Sequence, residues 1–355
     1  MTCLTLFAGA GGADLGLSRA GFRHIACVEG DATACATLRA AGFPAVHAWI
    51  GGPGPDGQPA YEPPDEPVDL LWASPPCQPY SRAGLRQGAD DARDGWPATL
   101  AMIGRVKPRW VIVENVVGAP VERWAEAVRA LGYVVSYRVL DAVDWGLPSH
   151  RRRVFLVGGP VAYEWPRPTH SESGLFLPRW VGFGDALGLN ANAAQDRGAG
   201  MTERHGPRRA YGPDEPIGSI RANGGRGGYV LTPGNGGNLP APRPDHRPAH
   251  TVTASCAQYL TRPSVAVAAT EVKGTNYRAN GGPQSPMRAS DSLHVATGRR
   301  RLTVDECRIL LGFPEGYPFQ GTTEARYRQI GNAVAPVVAM VLGEGVKNSA
   351  RILCV

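Results

Sequence analysis

The first 160 residues alternate short apolar runs with segments of helical periodicity, and no other feature of the chain restricts its fold as strongly. The apolar runs predict strands, and the segments between them predict helices. Because strand and helix alternate, we expect an α/β fold with a doubly wound, mostly parallel Rossmann-like sheet and a ligand site at the carboxyl ends of its strands. The predicted strands are 2–7, 24–29, 68–73, 110–114, 134–140 and 154–157; the predicted helices are 14–20, 32–41, 98–106 and 121–131.

The alternation of apolar runs and helical segments ends at residue 162, and glycine, proline, arginine and asparagine dominate the residues that follow. A weak internal repeat relates residues 214–222 to residues 246–254, and both copies predict a turn followed by a short strand. Helical patterns return at 303–311 and 333–342, and we expect the last helix to pack back onto the first sheet. The predicted domains are therefore 1–162, a second, smaller and irregular domain at 163–296, and a return to the first domain over 297–355.

A second irregular stretch, 51–67, interrupts the first domain with a Gly/Pro-rich, acidic loop. It cannot form a regular element, because its prolines and glycines break both helix and strand.

The net charge of +6 is unevenly distributed. Residues 1–149 carry a net charge of −4, whereas residues 150–331 carry +9. Arginine supplies 34 of the 37 basic side chains, and its planar fork suits phosphates and base edges. The charge pattern therefore indicates a cofactor domain beside a region that binds a polyanion.

The seven cysteines are odd in number and show no C-x-x-C spacing. This argues against a disulfide framework and against a structural zinc site, so we expect reduced thiols and no metal. No apolar run approaches the roughly 18 residues that a membrane helix needs. We expect a cytoplasmic protein without a membrane segment.

A glycine-rich turn, Phe7-Ala-Gly-Ala-Gly-Gly12, follows the first predicted strand and opens the first predicted helix. Its glycines let the backbone approach a ligand whose polar groups meet helix N-terminal amides. Glu29 ends the second strand, where a carboxylate can accept the hydroxyls of a ribose. The spacing differs from the G-x-G-x-x-G of dinucleotide sites, so the pattern predicts a nucleoside cofactor without a pyrophosphate.

Two further strands end in groups that can carry chemistry. Three prolines fix the backbone around Cys77 in Ser74-Pro-Pro-Cys-Gln-Pro-Tyr-Ser81, and this rigid frame favours a reactive thiol over a core residue. The next strand ends in Glu114. Three arginines, 151–153, stand before the strand at 154–157, where anionic or carbonyl partners are expected.

Taken in order, these motifs resemble those of the bacterial DNA cytosine-C5 methyltransferases, over 1–160 and 297–340. Each motif is weak alone, but the ordered set is specific. The matching segments are Phe7-Ala-Gly-Ala-Gly-Gly12, Glu29, Ser74-Pro-Pro-Cys-Gln78, Glu114-Asn-Val116, Arg151-Arg-Arg153, Arg301-Leu-Thr-Val-Asp-Glu306, Leu311-Gly-Phe-Pro314 and Gln329-Ile-Gly-Asn-Ala-Val334.

The resemblance implies a catalytic set. Cys77 would add to C6 of a cytosine flipped out of duplex DNA, because the target carbon is unreachable in the stack. Glu114 would hold N3 and the exocyclic amine, and Arg153 with Arg151 would bind the base carbonyl and orient the glutamate. The methyl donor would be S-adenosylmethionine.

The resemblance also implies binding residues. Those for the cofactor would be Phe7, Ala8, Gly9, Gly11, Gly12, Glu29, Ile50, Leu100 and Asn332. The loop 82–95 would close over the flipped base, and residues 163–296 would form a target-recognition domain. The expected DNA-binding residues are Gln78, Ser81, Arg82, Arg247, Thr251, Thr253 and Arg262.

The sequence departs from the family pattern at three positions. Thr5 stands where an acidic residue is usual, and Ser149 stands where a glutamine is usual. Trp49 replaces an aspartate expected to bond the adenine amine. Either a residue of the 51–67 loop takes over that bond, or the pocket is altered; in both cases we expect S-adenosylmethionine to bind through Phe7 and Glu29.

Three alternatives remain at this point: an RNA cytosine methyltransferase, a catalytically silent DNA-binding protein, and a nicotinamide oxidoreductase. The basic insert of about 135 residues favours DNA, since a tRNA enzyme could use a smaller one. Binding alone does not require Cys77, Glu114 and Arg153, and the dinucleotide spacing is missing. We expect a monomer that acts on double-stranded DNA in a restriction-modification or epigenetic setting, with a cognate restriction endonuclease as a possible partner.

Overall fold

The computed structural model describes residues 1–76, 94–188, 200–203, 210–211, 214–217, 229–232 and 302–351. Seven strands form the main sheet: β1 (Thr2–Leu6), β2 (Arg23–Glu29), β3 (Ala45–His47), β4 (Leu70–Ala73), β5 (Trp110–Val116), β6 (Val134–Asp141) and β7 (Arg152–Gly159). The helices are α1 (Gly12–Arg19), α2 (Ala32–Ala40), α3 (Trp96–Val106), α4 (Val121–Ala130), α5 (Phe183–Ala186), α6 (Val304–Leu310), α7 (Thr323–Asn332) and α8 (Pro336–Arg351). The strands and helices predicted for the first 160 residues are confirmed.

The strand order is β3-β2-β1-β4-β5-β7-β6. Consecutive pairs from β3 to β5 are parallel, but β7 is antiparallel to both β5 and β6. The alternation of strand and helix breaks at two places: no α-helix lies between the unpredicted strand β3 and β4, and none lies between β6 and β7. Only a 3₁₀ turn, Ala142–Trp145, joins β6 to β7, and so short a link suits an antiparallel pair. The order reverses between β1 and β4, so a crevice opens at their carboxyl ends.

Each face of the sheet is covered by its own hydrophobic core. Trp72 and Ile112 face a core shared with α1 and the C-terminal helices, whereas Leu71 and Val113 face a core shared with α3 and α4. Neighbouring residues of β4 and β5 thus point to opposite faces, and both are buried. Near-continuous apolar strands are typical of a sheet covered on both sides, which confirms the doubly wound class.

The C-terminal helix α8 lies against α1 so closely that a Cβ at Gly16 would come within 2.2 Å of the Pro336 carbonyl oxygen. The Lys347 ammonium also donates to the carbonyl of Ala20 at 2.9 Å. The last helix thus returns to the first, and it is longer than the predicted 333–342. The helix α7 was not predicted, although Thr322 caps it by accepting from the amide of Ala325.

The segment 323–351 is long and apolar enough to cross a membrane by length and composition. However, 72% of its most apolar window is buried inside the protein, and extended backbone at Ala333 divides it into α7 and α8. These are the properties of core helices.

Short strands form a separate three-stranded antiparallel sheet in the predicted second domain: β8 (Gly200–Glu203), β9 (Ala210–Tyr211) and β10 (Tyr229–Thr232). The first copy of the repeat is described only at 214–217, where Ile217 forms a parallel bridge with Ser149. The second copy lies outside the described residues, and the domain boundaries remain a prediction. The 51–67 loop is irregular as predicted, apart from one 3₁₀ turn, Pro55–Gly57, and a bridge between Trp49 and Ala60.

Candidate active site

A cavity of about 280 Å³ opens at the carboxyl ends of β1, β2, β4 and β5, where the strand order reverses. Its walls come from the glycine turn, the segment after β4, the end of β5, Arg153 and the C-terminal helices. The lining residues are Thr5, Phe7, Ala8, Gly9, Ala10, Ala13, Glu29, Asp31, Ala34, Trp72, Ser74, Pro75, Pro76, Glu114, Asn115, Val116, Arg153, Arg328, Gln329, Gly331, Asn332, Ala333 and Val334.

One side of this cavity fits a nucleoside. The Glu29 carboxylate accepts from the Gly9 amide at 2.7 Å and from the Asp31 amide at 2.8 Å. Burial raises the pKa of Glu29, while these backbone amides act in the opposite direction. Each carboxylate oxygen keeps a further lone pair, so the group can still accept ribose hydroxyls.

The glycine turn is shaped as much by protein packing as by access to the cavity. A Cβ at Gly12 would lie 2.2 Å from the Val334 carbonyl oxygen, and one at Gly11 would lie 2.7 Å from the Tyr317 hydroxyl. Gly11 also has φ of +85°, which disfavours any other residue. Of the three glycines, only Gly9 lines the cavity.

The other side holds an ion pair between Arg153 and Glu114. The Arg153 Nε lies 3.0 Å from Glu114 Oε1, and both side chains are largely buried. The antiparallel register places Arg153 opposite Val116, so the start of β7 meets the end of β5. A guanidinium fixed beside a carboxylate at a cavity wall can orient that carboxylate toward a bound group.

Asn115, which sequence reasoning did not select, braces the segment that leads to Cys77. Its side chain is buried, and its amide Nδ2 donates to the carbonyl of Pro75 at 3.0 Å. Its Oδ1 accepts from the Val116 amide at 2.9 Å. A buried asparagine at the end of a strand needs hydrogen-bond partners, and this requirement could have marked Asn115 in the sequence as a structural residue of the site.

Arg151 does not accompany Arg153. It is buried, and its guanidinium donates to the carbonyl of Gly331 at 3.0 Å. It does not line the cavity. Arg151 therefore links the start of β7 to the end of α7.

Comparison with known proteins places these observations in a family. The sequence profile of the C-5 cytosine-specific DNA methylases matches residues 1–175 and 243–348, well over half of the chain. The chain belongs to the C-5 cytosine-specific DNA methylase family. As a member, it transfers a methyl group from S-adenosylmethionine to C5 of cytosine in DNA.

Curated relatives agree with this assignment. The chain is 30% identical to type II methyltransferase M.NgoMIV of Neisseria gonorrhoeae, covering 96% of each protein. It is also 30% identical to type II methyltransferase M.NaeI of Lentzea aerocolonigenes, covering 96% of this chain and 73% of that protein. Among solved structures, the S. pombe Dnmt2 methyltransferase has a TM-score of 0.59 at 16% identity over 99% of both chains, which shows a shared fold.

Not all cofactor residues expected from the C-5 cytosine-specific DNA methylase pattern line the cavity. Phe7, Ala8, Gly9, Glu29 and Asn332 do. Ile50 is buried in the core beside α3 and α4, and the half-buried Leu100 packs against that core, so their cofactor roles remain predictions. The other predicted site residues lie outside the described residues: Cys77, Gln78, Ser81, Arg82, Arg247, Thr251, Thr253 and Arg262.

The departure from the family at Thr5 has a local explanation. The buried Asp14 carboxylate accepts from the Thr5 hydroxyl at 2.6 Å and from the Cys27 thiol at 3.0 Å. This chain therefore carries its buried carboxylate on α1 instead of on β1. At Ser149, the hydroxyl donates to the carbonyl of Leu310 at 2.7 Å and so joins this segment to α6.

Asp14, Cys27 and the imidazole of His24 also form a group of metal-ligating types. The His24 Nε2 lies 3.4 Å from Asp14 Oδ1. Burial first, and Asp14 second, raise the pKa of the Cys27 thiol far above its usual value, so the group stays protonated. The Asp14 Oδ1 accepts hydrogen bonds from both Thr5 and Cys27, so these groups form a polar network in the core.

This network predicts that Thr5→Asp is strongly destabilising. It would place a second carboxylate beside the buried Asp14, and we expect the free energy of unfolding to fall by about 3 kcal/mol or more. Urea unfolding measures this, with Thr5→Ser as the matched control that keeps the hydroxyl. The double variant Thr5→Asp/Asp14→Ser should recover much of the loss. Equal stability of Thr5→Asp and Thr5→Ser would contradict the prediction.

Proposed function

We propose that Cys77, Glu114 and Arg153 form the catalytic set of this methyltransferase. The observation that carries the proposal is the Glu114–Arg153 ion pair on the cavity wall, at the segment where Asn115 holds Pro75, two residues before Cys77. Asn115 is a positioning residue in this scheme, since it fixes the backbone that carries the nucleophile.

In the proposed reaction, the Cys77 thiolate adds to C6 of a flipped cytosine and breaks the C5–C6 double bond. Glu114 donates a proton toward N3, which absorbs the negative charge and leaves C5 nucleophilic. S-adenosylmethionine, when bound, supplies an electrophilic methyl group to C5. Removal of the C5 proton by a base then restores the double bond and expels the Cys77 thiolate, and N3 returns its proton to Glu114.

Arg153 keeps the Glu114 carboxyl directed into the cavity and can donate to the base carbonyl. Glu29 and Phe7 would hold the nucleoside part of the cofactor, and Asn332 lies on the wall where the methionine part would bind. The structure's contacts favour a bracing role for Arg151 instead of the base contact that the family pattern implied.

The target-recognition role belongs, in this proposal, to residues 163–296, which carry a net charge of +4. Arg247, Thr251, Thr253 and Arg262 would contact the target, and the 82–95 loop with Gln78, Ser81 and Arg82 would close on the flipped base. We propose a monomer in the bacterial cytoplasm, paired with a cognate endonuclease. Bisulfite sequencing of a host that expresses the gene would give the target site.

Labelled S-adenosylmethionine incubated with either duplex DNA or tRNA tests the substrate class. We expect label in DNA only, because the family match and the large basic insert both favour DNA. Label in tRNA alone would contradict the proposal.

The two arginines should separate into a catalytic and a structural role. Arg153→Ala should lower the methyl-transfer rate of the folded protein by about a hundredfold, because the oriented carboxyl and a donor to the base are lost. Arg151→Ala should cost about 1–3 kcal/mol of stability, because the buried Gly331 carbonyl loses its donor. Melting curves and single-turnover rates measure the two effects. The reverse pattern would contradict these roles.

A further inference from the structure

The indole of Trp49 lies at the same edge of the sheet as Glu29, beside the cavity but not among the residues that line it. Trp49 follows β3 by two residues and is 41% exposed, although it is among the largest side chains in the protein. Its ring packs on Gly30, since a Cβ at that position would lie 2.8 Å from both Cε3 and Cζ3. Gly30 directly follows Glu29. The Cε3–Cζ3 edge of an aromatic ring is therefore fixed one residue from the carboxylate that would hold the ribose.

The polar groups of the same edge are turned toward the backbone. Gln58 donates from Nε2 to the Gly30 carbonyl at 3.2 Å, and the His47 Nε2 lies 3.1 Å from the same oxygen. Asp31 accepts from the amides of residues 33 and 34 through Oδ1, and its Oδ2 lies 3.4 Å from Arg328. The Gln58 Oε1 is the exception: it is buried beside Gly54 and has no hydrogen-bond partner among the described residues.

We propose that Trp49 stacks on the adenine of S-adenosylmethionine and that the enzyme recognises this base through its aromatic face, not through its N6 amine. The inference rests on the proposed cofactor site at Glu29. A base joined to a ribose held by Glu29 lies within reach of a ring packed on the next residue, and indole–base stacking tolerates substitution at the base edge. The enzyme should therefore accept cofactor analogues that carry alkyl groups on N6.

Calorimetry with S-adenosylhomocysteine tests the stacking. Trp49→Ala should weaken binding by between about 5-fold and 150-fold, whereas Trp49→Phe should keep most of the affinity. Gly30→Ala should also weaken binding, because the new methyl group displaces the ring without removing it. The N6,N6-dimethyl analogue should bind the wild-type protein within about threefold of the parent compound. Melting curves confirm that each variant is folded.

Two results would overturn the proposal. One is unchanged affinity in Trp49→Ala. The other is a loss of about tenfold or more for the dimethyl analogue that disappears in Gln58→Ala, since this would identify Gln58 as an acceptor for the amine. Glu29→Ala distinguishes failure of the stacking by Trp49 from failure of the proposed cofactor site. If Glu29→Ala loses binding and Trp49→Ala does not, the stacking is contradicted. If neither variant loses binding, the cofactor site itself is contradicted.

Discussion

Replacing Glu114 by glutamine is expected to lower the rate of methyl transfer by about a hundredfold to ten-thousandfold. The variant keeps the shape of the side chain but cannot donate the carboxyl proton toward N3 of the cytosine. It also replaces the charged partner of Arg153, which lies 3.0 Å away, by a neutral amide. The effect should fall on the single-turnover rate, because the variant still fills the same space on the cavity wall.

The control for this experiment is Glu126→Gln, which makes the same chemical change on the exposed surface of α4. It should leave both rate and stability unchanged, since isolated surface charges contribute little. Glu114→Gln should retain binding of duplex DNA and of S-adenosylhomocysteine. A rate within a few-fold of wild type would remove Glu114 from the proposed catalytic set.

Cys77→Ala is expected to abolish methyl transfer, because no other group in the proposed site can add to C6. The cysteines described in the structure, Cys3, Cys27, Cys35 and Cys307, are all buried. Burial raises the pKa of the Cys35 thiol to about 11 and the pKa of Cys3 even further. The thiols of Cys3, Cys27 and Cys35 therefore stay protonated at neutral pH, and a thiol is a much poorer nucleophile than a thiolate.

Cys3→Ala provides the matched control for Cys77→Ala. It removes a buried thiol from β1, so it should lower stability while the methyl-transfer rate of the folded protein stays close to wild type. Label transfer to duplex DNA measures both variants. Full activity in Cys77→Ala would exclude the covalent mechanism.

The sequence predicted most of the sheet because its strands are apolar on both faces and are separated by helical periods. It did not predict the direction of β7. Three arginines at the start of a parallel strand would lie at the opposite edge of the sheet from Glu114. Because β7 is antiparallel, Arg153 pairs with Val116 and reaches the site. Only the family resemblance, and not the spacing, placed Arg153 beside Glu114.

Long-range contacts limited prediction at other positions in the same way. Gly12 follows a turn that is typical of a ligand loop, yet the atom nearest to its missing side chain is the carbonyl of Val334, 322 residues along the chain. Arg151 was predicted to bind the base and Asn115 was named only as part of a motif, whereas the bracing contacts of both depend on distant residues, Gly331 and Pro75. Local patterns report which residues are buried, whereas the partner of a buried polar group depends on the tertiary fold.

Trapping on a duplex that contains 5-fluorocytosine at the target position tests the central claim most directly. Fluorine cannot leave C5 as a proton does, so the bond between Cys77 and C6 should persist after methyl transfer. We expect a covalent protein–DNA complex that survives denaturing electrophoresis, requires S-adenosylmethionine, and forms in wild type and Cys3→Ala but not in Cys77→Ala. A complex of equal yield in Cys77→Ala, or active methyl transfer to the normal duplex with no trapped complex on the fluorinated one, would contradict the account.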